Sequence, residues 1–375
     1  MRYFFIYSAG GGAGDWNGVK RVWNSSMPVI LKSNILLKFG DVFFNHSPKK
    51  ASTPLIKPRV WNQVTNMRQW ISYAVNDSFV QNTSNILLDS GTSKIVNYIV
   101  TLNPNFSETQ IINEFLRLVS TQGILQKYVN IINSSNINEA VTFDLPNPFK
   151  VRTQSTNTRT NVFSGASSAR LIAESASYCN QIYALLGNSQ QKMLTTISGK
   201  WTAAEINRFN RLLNYTPDKI AVGALTRANS NDFTTALQTI DSIYNFNTLS
   251  RVHFLGCGGI DNVALIKAAG FNLAHISVDN STPYNRAIDG NTKGTSQSGY
   301  FDYTKYTLHR ISPAAIQNIL LLHSQYANAH FTLPEMKTIL NGILNHQNSK
   351  SNISTYDDRA KLVIHNNDVF RKNSR

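Results

Sequence analysis

Three aspartates stand where apolar runs give out: Asp89 in ILLDSG (86–91), Asp144 in AVTFDLP (140–146) and Asp279 in LAHISVD (273–279). A lone carboxylate at such a position ordinarily caps the next helix or shapes a turn. Carboxylates gathered in a partly dry site do other chemistry, as nucleophile, proton shuttle or acceptor for N–H donors. Other runs end in small residues: Ser198 and Gly199 in MLTTISG, Gly223 and Ala224 in KIAVGAL, Gly256 and Gly258 in VHFLGCG. Glycine lets a flat ligand approach the backbone, although it is also ordinary in loops.

The elements carrying these residues decide whether they can meet. The runs at 2–8, 86–91, 140–146, 193–199, 219–225, 252–258 and 273–279 are short, β-branched or aromatic, and apolar on both faces, as buried parallel strands are. PVILKSNILLKF (28–39) predicts one further strand. Helical patterns lie at 108–130, 165–187, 202–213, 232–245 and 259–269, and two more follow at 312–324 and 334–345. Thr202 with Glu205 three residues on reads as a capping box. Strands alternating with helices in this number predict an α/β fold, a (β/α)8 TIM barrel with insertions and C-terminal helices. An open, doubly wound sheet is the competing arrangement. Residues 1–346 are expected to form the barrel domain. Residues 347–375, polar and ending RKNSR, are expected to form a basic tail free to move.

The chemistry of such a barrel lies at the carboxyl ends of its strands, where all three aspartates fall. Net charge is +15, from 36 Lys and Arg against 21 Asp and Glu, with a pI near 9.7. That excess favours a polyanionic or phosphorylated partner. The chain has 42% hydrophobic residues, enough for a real core. No apolar run is long enough to span a membrane, and MRYFFIYSAGGG is too short and too soon broken by glycine for a signal peptide. The expected location is the cytoplasm. With Cys179 and Cys257 the only cysteines, neither a disulfide framework nor a thiolate zinc site can be built. The glycine-rich stretch at 10–14 fits neither GxGxxG nor a P-loop.

The motifs carry a family resemblance. ILLDSGTSK resembles the DSGG signature of the tRNA-guanine transglycosylases, FDLP (143–146) resembles that family's base-reading strand end, and KIAVGAL is similar to its YAIGGLA segment. FLGCGGIDNVALIKAAGFNLAHISVDNSTPYNRAIDG (254–290) resembles the region around the family's nucleophile, with Asp279, Pro283 and Gly290 at matching spacing. The likeness runs from about residue 85 to 330. It implies base exchange at a nucleoside: Asp279 attacks C1′ of a flipped-out guanosine, and Asp89 protonates the departing guanine, then deprotonates the incoming 7-deazaguanine. Asp144 would accept N–H bonds from the base edge. Ser198, Gly199, Gly223 and Ala224 would line the base pocket, with Leu255 against one face of the base. No cofactor is implied.

Departures from the pattern bear on the polymer. Ser198 stands where the family has glutamine, Ser93 replaces an aromatic, and Arg286 is one place off the family's arginine. LLLHSQY resembles the stretch bearing the family's zinc histidine, at His323, but no cysteine follows Cys257, so the metal module is lacking. The resemblance therefore leans to the 7-deazaguanine DNA-modification transglycosylases of bacteria and phages, acting on guanine in DNA with a base such as 7-cyano-7-deazaguanine. A zinc-free enzyme acting on tRNA is the alternative, and a catalytically dead nucleic-acid-binding barrel a third reading.

Arg286, Lys293 and Arg310 are the expected phosphate contacts. Arg152, Arg159, Lys200, Arg208, Arg211 and Lys305 could extend them into a belt around the mouth; each could equally be a solvated surface charge. Tyr300, Tyr303 and Tyr306 could stack on bases or pack along one helix face. Oligomeric state is not legible.

Overall fold

The computed structural model describes all residues except 8–21, 23–24, 46–47, 49, 51, 67–68, 70–84, 135–136, 146–149, 153–158, 162–166, 227, 289–297 and 346–352. Eight parallel strands close into a barrel: β1 (Arg2–Tyr7), β2 (Asn34–Lys38), β3 (Asn85–Asp89), β4 (Glu139–Val141), β5 (Met193–Ser198), β6 (Lys219–Gly223), β7 (Arg251–Phe254) and β8 (Ile276–Asp279). Each strand pairs with its sequence neighbours. β1 pairs with both β2 and β8, and that closure rules out the open sheet.

The pairing of β2 with β3 shows how register follows from sequence. NILLK and NILLD align residue for residue, from Asn34 opposite Asn85 to Lys38 opposite Asp89, and Asn85 Nδ2 donates to Asn34 Oδ1 at 3.1 Å. A slip of one residue would turn every side chain to the other face. The inward set is Phe4, Ile6, Leu36, Leu87, Val141, Leu194 and Ala221, an apolar plug inside the barrel with Leu255 packed on it. Because side chains alternate, positions two residues beyond Leu36, Leu87 and Ala221 also point inward, at the mouth. These are Lys38, Asp89 and Gly223.

Helices surround the barrel on a larger outer core. Thr202 and Glu205 form the expected capping box at the start of Ala203–Leu212. The pattern at 108–130 is two helices, Glu108–Thr121 and Ile124–Asn133, separated at Gly123, whose φ of 60° ends the first. The run 28–39 is a single helical turn, Val29–Lys32, before β2 rather than one continuous strand. Helix Thr92–Leu102 after β3 lies outside the expected helical patterns, and it buries Ile95, Val96 and Ile99 along one face.

The largest difference is at the C-terminus. In place of a polar tail, residues Ile353–Asn373 form a helix, here α1, packed against β1, the helices Thr282–Ile288 and Leu333–Asn345, and a hairpin of Gly299–Phe301 with Leu308–Arg310. Residues 362–370 are buried without a break, including His365, Asn366, Asn367 and Asp368. The composition reads as polar because these groups are satisfied by partners far away in sequence: Asn367 Oδ1 accepts from Tyr3 Oη at 2.9 Å, His365 Nε2 donates to Phe301 O at 2.8 Å, and Asp368 accepts from Tyr303 Oη at 3.0 Å.

Candidate active site

Asp279 closes β8 and is 3% exposed. The residue after it forms the turn: Asn280 Oδ1 accepts from Thr282 N at 2.9 Å, at the start of helix Thr282–Ile288. Asp279 is thereby released from capping. Its Oδ1 accepts instead from Gly256 N at 2.8 Å and from His253 Nε2 at 3.0 Å. No described residue hydrogen-bonds Oδ2. The main chain is held as well, since Gly258 N donates to Asp279 O at 2.8 Å, and a Cβ on Gly258 would come within 3.0 Å of that oxygen.

Asp89 closes β3, and its Oδ1 accepts a long bond of 3.3 Å from Gly91 N. Gly91 adopts φ 69°, and a Cβ there would lie 2.5 Å from Gly40 N. Two glycines thus draw together the chain leaving β2 and the chain leaving β3. Burial pushes the Asp89 carboxyl above the ordinary range; Lys38 and the Gly91 N–H oppose the shift, and the charges of Asp279 and Asp41 reinforce it.

Lys38, at the close of β2, is the group that sequence reading missed. Burial works against its charge, but Asp89, Asp41 and Asp279 more than offset that and hold its pKa above the usual lysine value. Around the rim the order is therefore Asp279 on β8, Lys38 on β2 across β1, then Asp89 on β3. The strand that ends in this cation thus lies between the strands that end in the two carboxylates. The repeated NILL before Lys38 and Asp89 was the available signal, since identical strands pair most simply in register.

Asp144 lies just beyond β4, and its Oδ1 accepts from Thr92 Oγ1 at 2.8 Å. Burial lifts its pKa to about 6, with Thr92 opposing and the charge of Asp89 adding to the rise. Thr92, itself buried, is a second residue that sequence reading passed over. The electrostatic influence of Asp89 on Asp144, and of Asp279 on Asp89, places all three carboxylates in one neighbourhood.

The remaining rim positions divide. Gly223 and Leu255 face each other at the mouth, where a Cβ on Gly223 would meet Leu255 Cδ1 at 3.8 Å. Ala224 is exposed and held at φ 65°, a left-handed conformation costing an alanine roughly 1 kcal/mol. Strain of this kind collects at functional sites. Gly199 has a packing reason, because a Cβ there would stand 2.3 Å from Leu225 Cγ, and its N–H is engaged by Gly223 O at 2.9 Å. Ser198 is buried, and its Oγ accepts from Lys200 N at 3.2 Å. Ser93 is exposed.

Neither the known protein-family models nor the curated proteins contain a match to this chain.

Among the expected phosphate contacts, Arg286 is exposed on the helix that follows Asp279. Lys293, with Gly290, lies outside the described residues, as does the stretch 10–14. Arg310 is exposed on the hairpin that packs against α1. Lys200 pairs with Asp232 at 3.5 Å. Arg152 and Arg159 are opposed in a small hairpin, Lys150–Arg152 with Arg159–Asn161, in the connection leaving β4; that connection leaves from the strand's carboxyl end. The tyrosines do not pack along one helix face, since they lie in a strand and the turn after it. Tyr300 and Tyr303 are buried, Tyr300 stacked on His365 at 4.5 Å, and Tyr306 sits in a turn at φ 57°. His323 donates from Nε2 to Phe331 O at 2.8 Å, so its Nδ1 accepts from Tyr300 Oη at 3.0 Å. Among the described residues no group of three His, Cys, Asp or Glu is placed to hold a metal ion, and no helix is long and apolar enough to cross a membrane.

Proposed function

We propose that this chain is a guanine transglycosylase that exchanges guanine in DNA for a 7-deazaguanine base by double displacement. The observation that carries the reading is the division of labour between two rim carboxylates. Asp279 is clamped through one oxygen with the other left open, as a nucleophile needs to be. Asp89 is held by burial in the range where it keeps a proton longer than an ordinary aspartate, as a general acid needs to.

In the first step Asp279 Oδ2 attacks C1′, the C1′–N9 bond breaks, and Asp89 delivers its proton to the departing guanine. In the second, N9 of the incoming base attacks C1′, Asp89 takes up the proton lost by that base, and the ester to Asp279 breaks. Two inversions leave the configuration at C1′ unchanged, the logic of a retaining glycosidase with a base as acceptor in place of water. Asp144, as the carboxylate, accepts N–H bonds from the base edge beside it. The excess of basic residues supplies sequence-independent attraction to a nucleic-acid backbone, and chemistry at C1′ by carboxylates set on a barrel rim calls for a flipped-out nucleotide. The resemblance of ILLDSGTSK and of the segment 254–290 to the tRNA-guanine transglycosylases supports the same chemistry, and the missing cysteines favour DNA over tRNA.

The test is incubation of the full chain with duplex or single-stranded DNA and labelled 7-cyano-7-deazaguanine, followed by digestion to nucleosides. Label in DNA nucleosides, with a denaturant-stable protein–DNA adduct that Asp279→Ala abolishes, is the expected result. Label in tRNA alone would transfer the chemistry to the other polymer. No label in either, with nucleic-acid binding intact, would reduce the chain to a binding protein.

A further inference from the structure

We infer that His253 is the positioning residue of this site, holding Asp279 through Oδ1 so that Oδ2 is the oxygen presented to the substrate. The inference rests on the reading of Asp279 as the nucleophile. His253 lies on β7, points into the barrel and is fully buried; its ring stands perpendicular to that of Phe4, with centroids 5.6 Å apart. An imidazole is an expensive filler for an apolar plug unless both its nitrogens are engaged. Both are. Nδ1 lies 3.0 Å from Ser277 Oγ and Nε2 lies 3.0 Å from Asp279 Oδ1.

The tautomer follows from the partners. Ser277 Oγ has two acceptors in reach, His253 Nδ1 at 3.0 Å and Val252 O at 3.5 Å, and the shorter one takes its proton. Nδ1 is then unprotonated, Nε2 carries the hydrogen, and that hydrogen is donated to the Asp279 carboxylate. Gly256 N donates to the same oxygen at 2.8 Å. Gly256 adopts φ 71°, a conformation that aims this N–H without side-chain strain. Two donors on one oxygen fix the carboxylate plane and leave the second oxygen's lone pairs for bond formation. Ser277, His253 and Asp279 form a chain on adjacent strands, all facing inward. It resembles a catalytic triad in its links but runs in another sense: the carboxylate is the reacting end and the serine the anchor.

The first measurement needs no substrate. In the full chain carrying 15N-labelled histidine, the signal assigned to His253 by its loss in His253→Gln should be that of a neutral Nε2–H imidazole, and Asp279→Asn should shift it. An Nδ1–H tautomer, or a signal indifferent to Asp279→Asn, overturns the inference. The second measurement is the single-turnover rate of adduct formation. His253→Phe, which keeps a ring but donates nothing, should slow that step about a hundredfold, the cost of losing a near-attack geometry, with DNA affinity unchanged. His253→Gln, which retains an N–H at nearly the same reach, should recover most of the rate. Should His253→Phe fail to fold, the pair of wild type and His253→Gln with the nitrogen spectrum still decides. A wild type that exchanges base while His253→Phe does so equally fast sinks the inference alone. A wild type that exchanges no base on any polymer sinks the proposed function, and the nitrogen spectrum then judges the clamp.

Discussion

Lys38 and Asp89 are the last registered pair between β2 and β3, opposite one another at the barrel mouth. Their pairing makes a testable statement about charge. Lys38 holds the Asp89 carboxyl down against its burial, so Lys38→Met should move the Asp89 titration to higher pH. Carbon-detected NMR of the aspartate carboxyls would show it. Loss of the cation should also lower stability at neutral pH, since Asp89 would keep its burial without the opposing charge. An unmoved Asp89 midpoint would mean that Lys38 turns away from the rim in solution.

Asp144 gives the pH dependence. Its folded-state pKa is about 6, against an ordinary 3.8. The folded protein therefore binds the proton more tightly than the unfolded chain, and the difference costs stability as pH rises from about 4 to about 6. Below that window the penalty is absent, and above it the penalty is fully present. Asp144→Asn, which can keep the Thr92 bond, should raise stability at pH 8 by about 2 kcal/mol and leave it unchanged at pH 3.5. Urea denaturation at the two pH values checks this. If the ionised form reads the base, the same variant should lose affinity for free 7-deazaguanine, and wild-type affinity should fall as pH drops through 6.

Gly91 and Gly40 make a backbone contact that no side chain can enter. Gly91→Ala must adopt φ 69° and bring a methyl within 2.5 Å of Gly40 N. The expected loss is roughly 3 kcal/mol or more, from strain and overlap together. Because the displaced atoms carry Lys38 and Asp89, activity should fall further than stability explains, under conditions where the variant remains folded by circular dichroism.

Asn366 brackets the segment that follows Asp279. From α1 its Nδ2 donates to Pro283 O at 3.3 Å and Gly299 O at 2.9 Å, and its Oδ1 accepts from Phe301 N at 3.0 Å. Asn366→Ala should cost about 3 kcal/mol by leaving these groups unpaired. Asn366→Asp, of the same size, should cost at least as much, because it sets a carboxylate oxygen against two carbonyls. Amide hydrogen exchange at Phe301 should accelerate in both. Unchanged exchange there would show that the segment is held by other contacts.

Much of this site was legible because it depends on local rules. Runs apolar on both faces announced buried strands, and a polar residue at the end of each run announced the rim. Inward orientation follows from the period of two, so Asp89 and Asp279 could be placed on the mouth from spacing alone. Position by itself left Asp279 either a helix cap or a reacting group. The turn made by Asn280 takes the capping role away from Asp279, and no spacing rule assigns a cap to one of two adjacent candidates. The expected base contact at Gly199 is accompanied by a packing demand from Leu225, a residue brought close only by the fold.

What the amino-acid sequence determined by itself was the set of strands, their faces and the three carboxylates at their ends, because hydrophobic period and turn chemistry act over a few residues. Tertiary structure decided the partners. His253 meets Asp279, Lys38 comes opposite Asp89, and Asn366 reaches back to Pro283 only because the barrel closes with one register and α1 packs against β1 and the helix after β8. A polar residue is read from sequence as exposed unless its partner is known. In residues 362–370 the partners lie some sixty or more positions away, so a buried helix passed for a tail.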